Sequence, residues 1–311
     1  MTAEFYAGPE NGAYCGLEEL IRLRFGARGL AFSRQQKAFA ALVGPHRSRF
    51  RGRGVEYDEV RVYQAGDDSR NMEWRVTART GIPHTKLFRE ERERPVFLLV
   101  DQSLSMFFGS RRCFKSVAAA RAAALLAWAA LHNNDRVGGL VFNDTGQAEV
   151  RPRRSIRTVL RLLHDISLFN RRLRRGSGPA GGVLDRALEE TRRLLRPGSN
   201  IFVISDFQGM TAVGDSHLQQ LRRHNDISVV LVRDPLEEHL PSPGLYHVTD
   251  GERRALIDSR AAEMRRRYED AFQEKAADVA RRLTELGIPL LRLSTEDSAE
   301  TFFRHAFGGR T

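Results

Sequence analysis

Short apolar runs that alternate with helical stretches predict an α/β fold for this chain: a doubly wound, mostly parallel sheet flanked by helices, with a small β-rich subdomain before it. Three observations carry that prediction. Val96-Phe-Leu-Leu-Val100 is continuously apolar and closed by Asp101, as expected of a parallel strand buried on both faces. Val137-Gly-Gly-Leu-Val-Phe142, Ile201-Phe-Val-Ile-Ser205 and Ile227-Ser-Val-Val-Leu-Val232 repeat the pattern, each separated from the next by a helical segment. No linker rich in Pro, Gly or Ser divides this region.

In chain order, residues 17–43 carry apolar positions at helical spacing broken by Gly26 and Gly29, which predicts two short helical segments in an N-terminal portion, 1–43. Residues 44–94 are Gly-punctuated, with strand-like alternation at Val60-Arg-Val-Tyr63 and Thr85-Lys-Leu-Phe88, and are expected to form the β-rich subdomain. The sheet domain should occupy 95–311. After its first strand comes a helix over Lys115 to His132, then the Val137–Phe142 strand and a short edge strand at Ala148-Glu-Val150. A helix from about Ser155 to Ile166 follows, with Ser155 as its N-cap, then one near Val183–Leu195. The Ile201–Ser205 strand leads to a helix near His217–Arg223, and the Ile227–Val232 strand to a Pro-rich turn, Pro235 to Pro243. A β piece at Leu245-Tyr-His-Val248, a long charged helix from about Arg260 to Leu286, a strand at Pro289–Leu293 and a helix over Asp297–Phe307 complete the pattern.

Composition narrows the function classes. The chain has 311 residues, 41% of them apolar, enough for a substantial core. Its net charge is +11, and only Lys37, Lys86, Lys115 and Lys275 among its 50 basic residues are lysines. An arginine-rich surface suits carboxylates, phosphates and anionic lipid heads. Cys15 and Cys113 stand far apart without metal-ligand spacing, so neither a disulfide framework nor a zinc site is signalled. The N-terminal residues lack a secretory pattern and no window is apolar enough to span a bilayer, so a cytoplasmic protein without a membrane span is expected. No nucleophile elbow and no phosphate-binding Gly-x4-Gly-Lys-Ser/Thr loop occurs, and the histidines are scattered. No catalytic residue is nominated, and an enzyme is not expected.

In an open parallel sheet the ligand crevice lies beyond the carboxyl ends of the strands, which directs attention to Asp101 and Asp206. The turn Asp101-Gln-Ser103-Leu-Ser105 offers one carboxylate and two hydroxyls, hard oxygens suited to magnesium, manganese or calcium. An isolated Asp-x-Ser-x-Ser is more often a simple helix cap. Here it follows a buried strand, precedes a long alanine-rich helix, and is joined about a hundred residues on by Ser205-Asp206-Phe207. This constellation resembles the metal-ion-dependent adhesion site of von Willebrand factor A domains. The resemblance implies Asp101, Ser103, Ser105 and, through water, Asp206 as ligands of Mg2+ or Mn2+. It also implies a threonine from the loop Gly176-Ser-Gly-Pro-Ala-Gly-Gly-Val183, where Gly182 stands instead and Ser177 is the available substitute.

Upstream, Gly66-Asp67-Asp68-Ser-Arg70 and Trp74-Arg-Val-Thr77-Ala78-Arg79 run into Lys86-Leu-Phe-Arg-Glu90, and Asn133-Asn-Asp135-Arg136-Val-Gly138 lies downstream. These elements are similar to the domain of unknown function 58 family, a likeness that covers roughly residues 45–210. It implies a von Willebrand A-like, Rossmann-type domain and, as partner, a MoxR-type AAA+ ATPase or its client, for which such a protein serves as adaptor. The charges of the upstream signature, Asp67, Asp68 and Glu73 beside Arg61, Arg70, Arg75 and Arg79, are expected to pair and fix geometry, with Trp74 and exposed arginines as an alternative partner surface. The competing functional class is an arginine-driven binder of nucleic acid or anionic membrane, using Arg47–Arg53, Arg151–Arg154 and Arg171–Arg175. Those runs contain Phe50 as their one aromatic, unlike a single-strand stacking platform.

Overall fold

The computed structural model describes residues 12–28, 30, 56–64, 67–89, 95–173, 181–249 and 254–307. They fall into two compact units, one within Arg47–Glu93 and the other combining Met1–His46 with Arg94–Thr311.

In the larger unit the chain enters through helix α1 (Leu17–Arg22), with acidic Glu18 and Glu19 in its first turn and Arg22 in its last, as the helix dipole favours. Turns follow to residue 28, and the second expected helical segment, beyond Gly29, falls on residues 31–43, outside the described residues. Cys15, Leu20 and Ala27 are buried in the core of this unit.

The smaller unit pairs strand β1 (Glu56–Val62) with β2 (His84–Arg89) in antiparallel register, Arg61 opposite Thr85. Between them lies α2 (Trp74–Thr80), a helix inside the segment expected to be β-rich. Glu73 accepts from the Arg75 backbone N–H at the start of α2, and Gly81, at φ +71°, ends it in the left-handed conformation that glycine adopts without steric cost. The expected charge pairing is partly altered. Arg61 pairs with Asp67 at 2.8 Å, but the cation on Glu73 is Lys86, at 2.7 Å, rather than an arginine. Trp74 is exposed.

The sheet of the larger unit contains β3 (Val96–Asp101), β4 (Val137–Asn143), β5 (Gly146–Arg153), β6 (Asn200–Ser205), β7 (Asp226–Arg233) and β10 (Leu290–Ser294). Its order is β10-β7-β6-β3-β4-β5, parallel throughout except for the antiparallel edge strand β5. The doubly wound α/β fold expected from the sequence is therefore present. Successive residues of β3 alternate between two cores: Val96, Leu98 and Val100 face one, Phe97 and Leu99 the other.

The first core is covered by α3 (Lys115–His132) and α4 (Ile156–Arg172), with α1 and the C-terminal α9 (Ala299–Phe307). α3 is buried along nearly its whole length because alanine at half of its positions lets the neighbouring elements approach from several sides. The second core is covered by α5 (Val183–Leu194), α6 (Ala212–His224) and α8 (Ala262–Glu285). Gly139 in β4 is required by close approach, since a Cβ there would stand 2.5 Å from the Leu98 carbonyl oxygen.

Element ends extend several sequence expectations. Ser155 caps α4 as predicted, and the helix continues to Arg172. α6 starts at Ala212, with Thr211 accepting from the Val213 N–H. The Pro-rich segment after β7 holds a one-turn helix, α7 (Pro235–Glu238), and the β piece β8 (Leu245–Thr249) pairs with β9 (Arg254–Asp258) in a separate two-stranded sheet.

Candidate functional site

The strand order reverses at β3, which hydrogen-bonds to β4 on one side and β6 on the other. The carboxyl ends of β3 and β6 therefore lie side by side at the switch point where open α/β sheets hold ligands. Asp101 is the last residue of β3, and Asp206 directly follows β6.

Asp101 is buried, and both of its oxygens are engaged. Oδ1 accepts from the Ser103 backbone N–H at 2.8 Å, and Oδ2 accepts from Ser205 Oγ at 2.6 Å. Burial, and then the charge of Asp206, push the Asp101 carboxyl from 3.8 up to about 7, against the hydrogen bonds that favour its ionised form. The Ser103 and Ser105 hydroxyls are 3.1 Å apart, and Ser105 Oγ donates to Asp206 Oδ1 at 3.2 Å. Leu104 N–H donates to Asp144 Oδ2 at 2.6 Å, tying the turn to the end of β4. On the β6 side Phe207 takes a positive φ of 59°, uncommon for a bulky residue, and Gln208 N–H donates to Asp206 Oδ1.

Of the side chains nominated from the sequence, those of Ser103, Ser105 and Asp206 form a hydrogen-bonded chain, and Asp101 accepts from the Ser103 N–H beside it. Their chemistry fits a small divalent cation. Cis ligands at about 2.1 Å from Mg2+ are about 3.0 Å apart, close to the separations along the Ser103–Ser105–Asp206 chain. Among the described residues no three His, Cys, Asp or Glu side chains converge as a metal-holding group, so the donor set depends on the hydroxyls.

Gly182, at the position of the expected threonine, precedes α5 with φ +69°. A β-branched residue is strained there, so the local backbone itself disfavours threonine. Ser177 lies outside the described residues. Asp185, in the first turn of α5, is buried and accepts from both the hydroxyl and the N–H of Thr211, which links the starts of α5 and α6.

Three groups not nominated from the sequence as ligands complete the site. Lys115, the first residue of α3, is fully buried and donates to Asp206 Oδ2 at 2.8 Å and to Glu237 Oε1 at 2.5 Å. Burial works against its charge, but the two carboxylates prevail and raise its pKa further. Glu237 is held by a capping box: its other oxygen accepts from Asp234 N–H, while Asp234 caps α7 through the Leu236 N–H. Ser205 supplies the hydroxyl behind Asp101. The available sequence signal for Lys115 is its place as a charged residue heading an alanine-rich helix.

The arginine runs are less informative. Arg151, Arg153 and Arg154 are exposed, whereas Arg47–Arg53 and Arg174–Arg175 lie outside the described residues. No described helix is long and apolar enough to cross a membrane.

A family model described as a protein of unknown function, DUF58, matches residues 59–278. The uncharacterised protein Rv1480 of Mycobacterium tuberculosis is 32% identical over 278 residues, 88% of this chain and 86% of its own. Among solved structures, a conserved hypothetical protein BatB from Bacteroides thetaiotaomicron aligns at 16% identity over 68% of this chain and 95% of its own, with a TM-score of 0.40. A von Willebrand factor type A protein from Catenulispora acidiphila aligns at 13% identity over 72% of this chain and 43% of its own, with a TM-score of 0.36.

Proposed function

This chain belongs to the DUF58 family of proteins of unknown function, and from that premise we propose that it is a non-enzymatic, cytoplasmic protein-interaction module. It captures a carboxylate of its partner through a divalent cation, Mg2+ or Mn2+, held by Asp101, Ser103, Ser105 and Asp206. The partner is a MoxR-type AAA+ ATPase or one of its clients, toward which the chain acts as an adaptor. The observation that carries this reading is the continuous chain of oxygens from Ser103 through Ser105 to Asp206, beside the buried Asp101, at the switch point of the sheet.

A carboxyl pushed up to about 7 also suits a general base. In Asp101, however, both oxygens accept hydrogen bonds from within the protein and the side chain is buried, which favours a structural or ligand role over proton exchange with a substrate. A bound cation contributes the positive charge that stabilises the ionised carboxylate, and an open coordination position would accept the partner's Asp or Glu.

Calorimetric titration of Mg2+ and Mn2+ into the wild type and Asp101→Ala tests the site, followed by capture of a purified MoxR-type ATPase with and without chelator. Saturable binding lost in the variant, with capture abolished by chelator, is expected. Capture unaffected by chelator or by Asp101→Ala would move partner binding to another surface.

A further inference from the structure

Lys115 is an unusual neighbour for a cation position, because it already places a positive charge on one of the ligands. Its side chain is 1% exposed, and the ammonium lies between Asp206 and Glu237. A buried ammonium without such partners would be strongly disfavoured, so the three groups are interdependent. The ammonium is shared by two carboxylates, Asp206 and Glu237, which leaves negative charge for a second cation to neutralise. The same Asp206 bonds at once to Ser105 through Oδ1 and to Lys115 through Oδ2.

We propose that Lys115 is a tethered counter-cation that competes with the divalent ion for Asp206 and thereby sets the affinity of the site. The inference rests on the cation-site reading above. Glu237 is the alternative anchor. It stays in place because the Asp234 capping box holds it, so the ammonium retains a partner when Asp206 turns toward an ion. Lys115, Asp206 and Glu237 also line a cleft of about 1130 Å³ that runs along α8 past Phe207, Tyr268 and Phe272. The cluster that governs ion affinity thus stands in the wall of this cleft, with Glu237 its most exposed member.

The double substitution Lys115→Met/Glu237→Gln removes one charge of each sign and leaves the net charge unchanged. The amide that replaces the Glu237 carboxylate retains an oxygen for the Asp234 N–H, and methionine fills the volume of the lysine stem. Titrated with Mn2+ by calorimetry, the double variant should bind at least about tenfold tighter than the wild type, the sense expected when a competing cation is removed. Binding by the variant alone would support the same conclusion in a stronger form. Equal or weaker binding by a folded variant overturns the role of Lys115 while leaving the cation site standing. Absence of binding by both proteins removes the cation site and the inference together.

The wild type provides a measurement that does not depend on how the variant folds. Only four lysines occur in the chain, so 15N-lysine labelling resolves the Lys115 ammonium resonance. Mg2+ should shift that resonance in the wild type and not in Asp101→Ala. A resonance unmoved by saturating Mg2+ would overturn the proposal.

Discussion

At the scale of single residues the site is a balance between burial and charge, and two substitutions separate the contributions. Burial, with the charge of Asp206, pushes the Asp101 carboxyl from 3.8 up to about 7, so the folded protein holds this proton more tightly than the unfolded chain does. The cost of ionising it is fully present above about pH 7 and is relieved as the pH falls toward 4. In chelator, Asp101→Asn should therefore melt several degrees above the wild type at pH 8, with the gap narrowing below pH 7 and closing only near pH 4. Thermal melts across that range check the prediction, and a pH-independent gap would refute it. Lys115 has the opposite dependence on its partners. Lys115→Ala leaves Asp206 and Glu237 without their cation and should cost about 3–5 kcal/mol in urea unfolding, against a markedly smaller loss for Lys115→Met/Glu237→Gln.

At the scale of elements, the short helix α7 owes its position to Asp234. That buried carboxylate accepts from Ser110 N–H at 2.8 Å, Leu236 N–H at 2.9 Å and Thr295 Oγ at 2.6 Å, and thus ties two other parts of the chain to the start of α7. Burial alone would raise its pKa, yet these hydrogen bonds hold it below the ordinary value. Asp234→Ala should lower stability by about 2–3 kcal/mol by equilibrium unfolding. It should also loosen Glu237, visible as weaker protection of the α7 amides in hydrogen exchange. In α3 the determinant is size. Ala123 is fully buried, and Ala123→Leu should cost about 1–3 kcal/mol through overpacking. An unchanged urea midpoint would show that the helix has room to move.

At the scale of the whole molecule, two cores on opposite faces of one sheet fix the larger unit, and the last helix closes one of them. Phe303 is fully buried, and its ring stacks against Phe307 with centroids 5.5 Å apart. Phe303→Ala should cost about 3–5 kcal/mol. Trp74→Ala, at an exposed position in the smaller unit, should change stability by no more than about 0.5 kcal/mol, and its effect is better sought in partner capture. Urea unfolding of the two variants distinguishes a core residue from a surface one.

The strands of the central sheet are legible in the amino-acid order alone, because a strand buried on both faces must be apolar throughout, as Val96–Val100 and Ile201–Ile204 are. Asp101, Ser103, Ser105 and Asp206 can be located in the same way, because a ligand crevice forms where such strands end. A local signal also exists at α7, where Asp234, Pro235 and Glu237 spell a capping box within a segment whose prolines suggest only a turn. β9 gives no such signal, since its mostly exposed residues lack the alternation that burial imposes. The bridge from Lys115 to Asp206 and Glu237, residues 91 and 122 positions away, arises only on folding. Parallel crossovers set which strand ends become neighbours, and a buried charge has no local pattern that announces its distant partners. The same holds for Gly182: its identity can be read from the sequence, but its positive φ, which disfavours the expected threonine, is a property of the folded backbone.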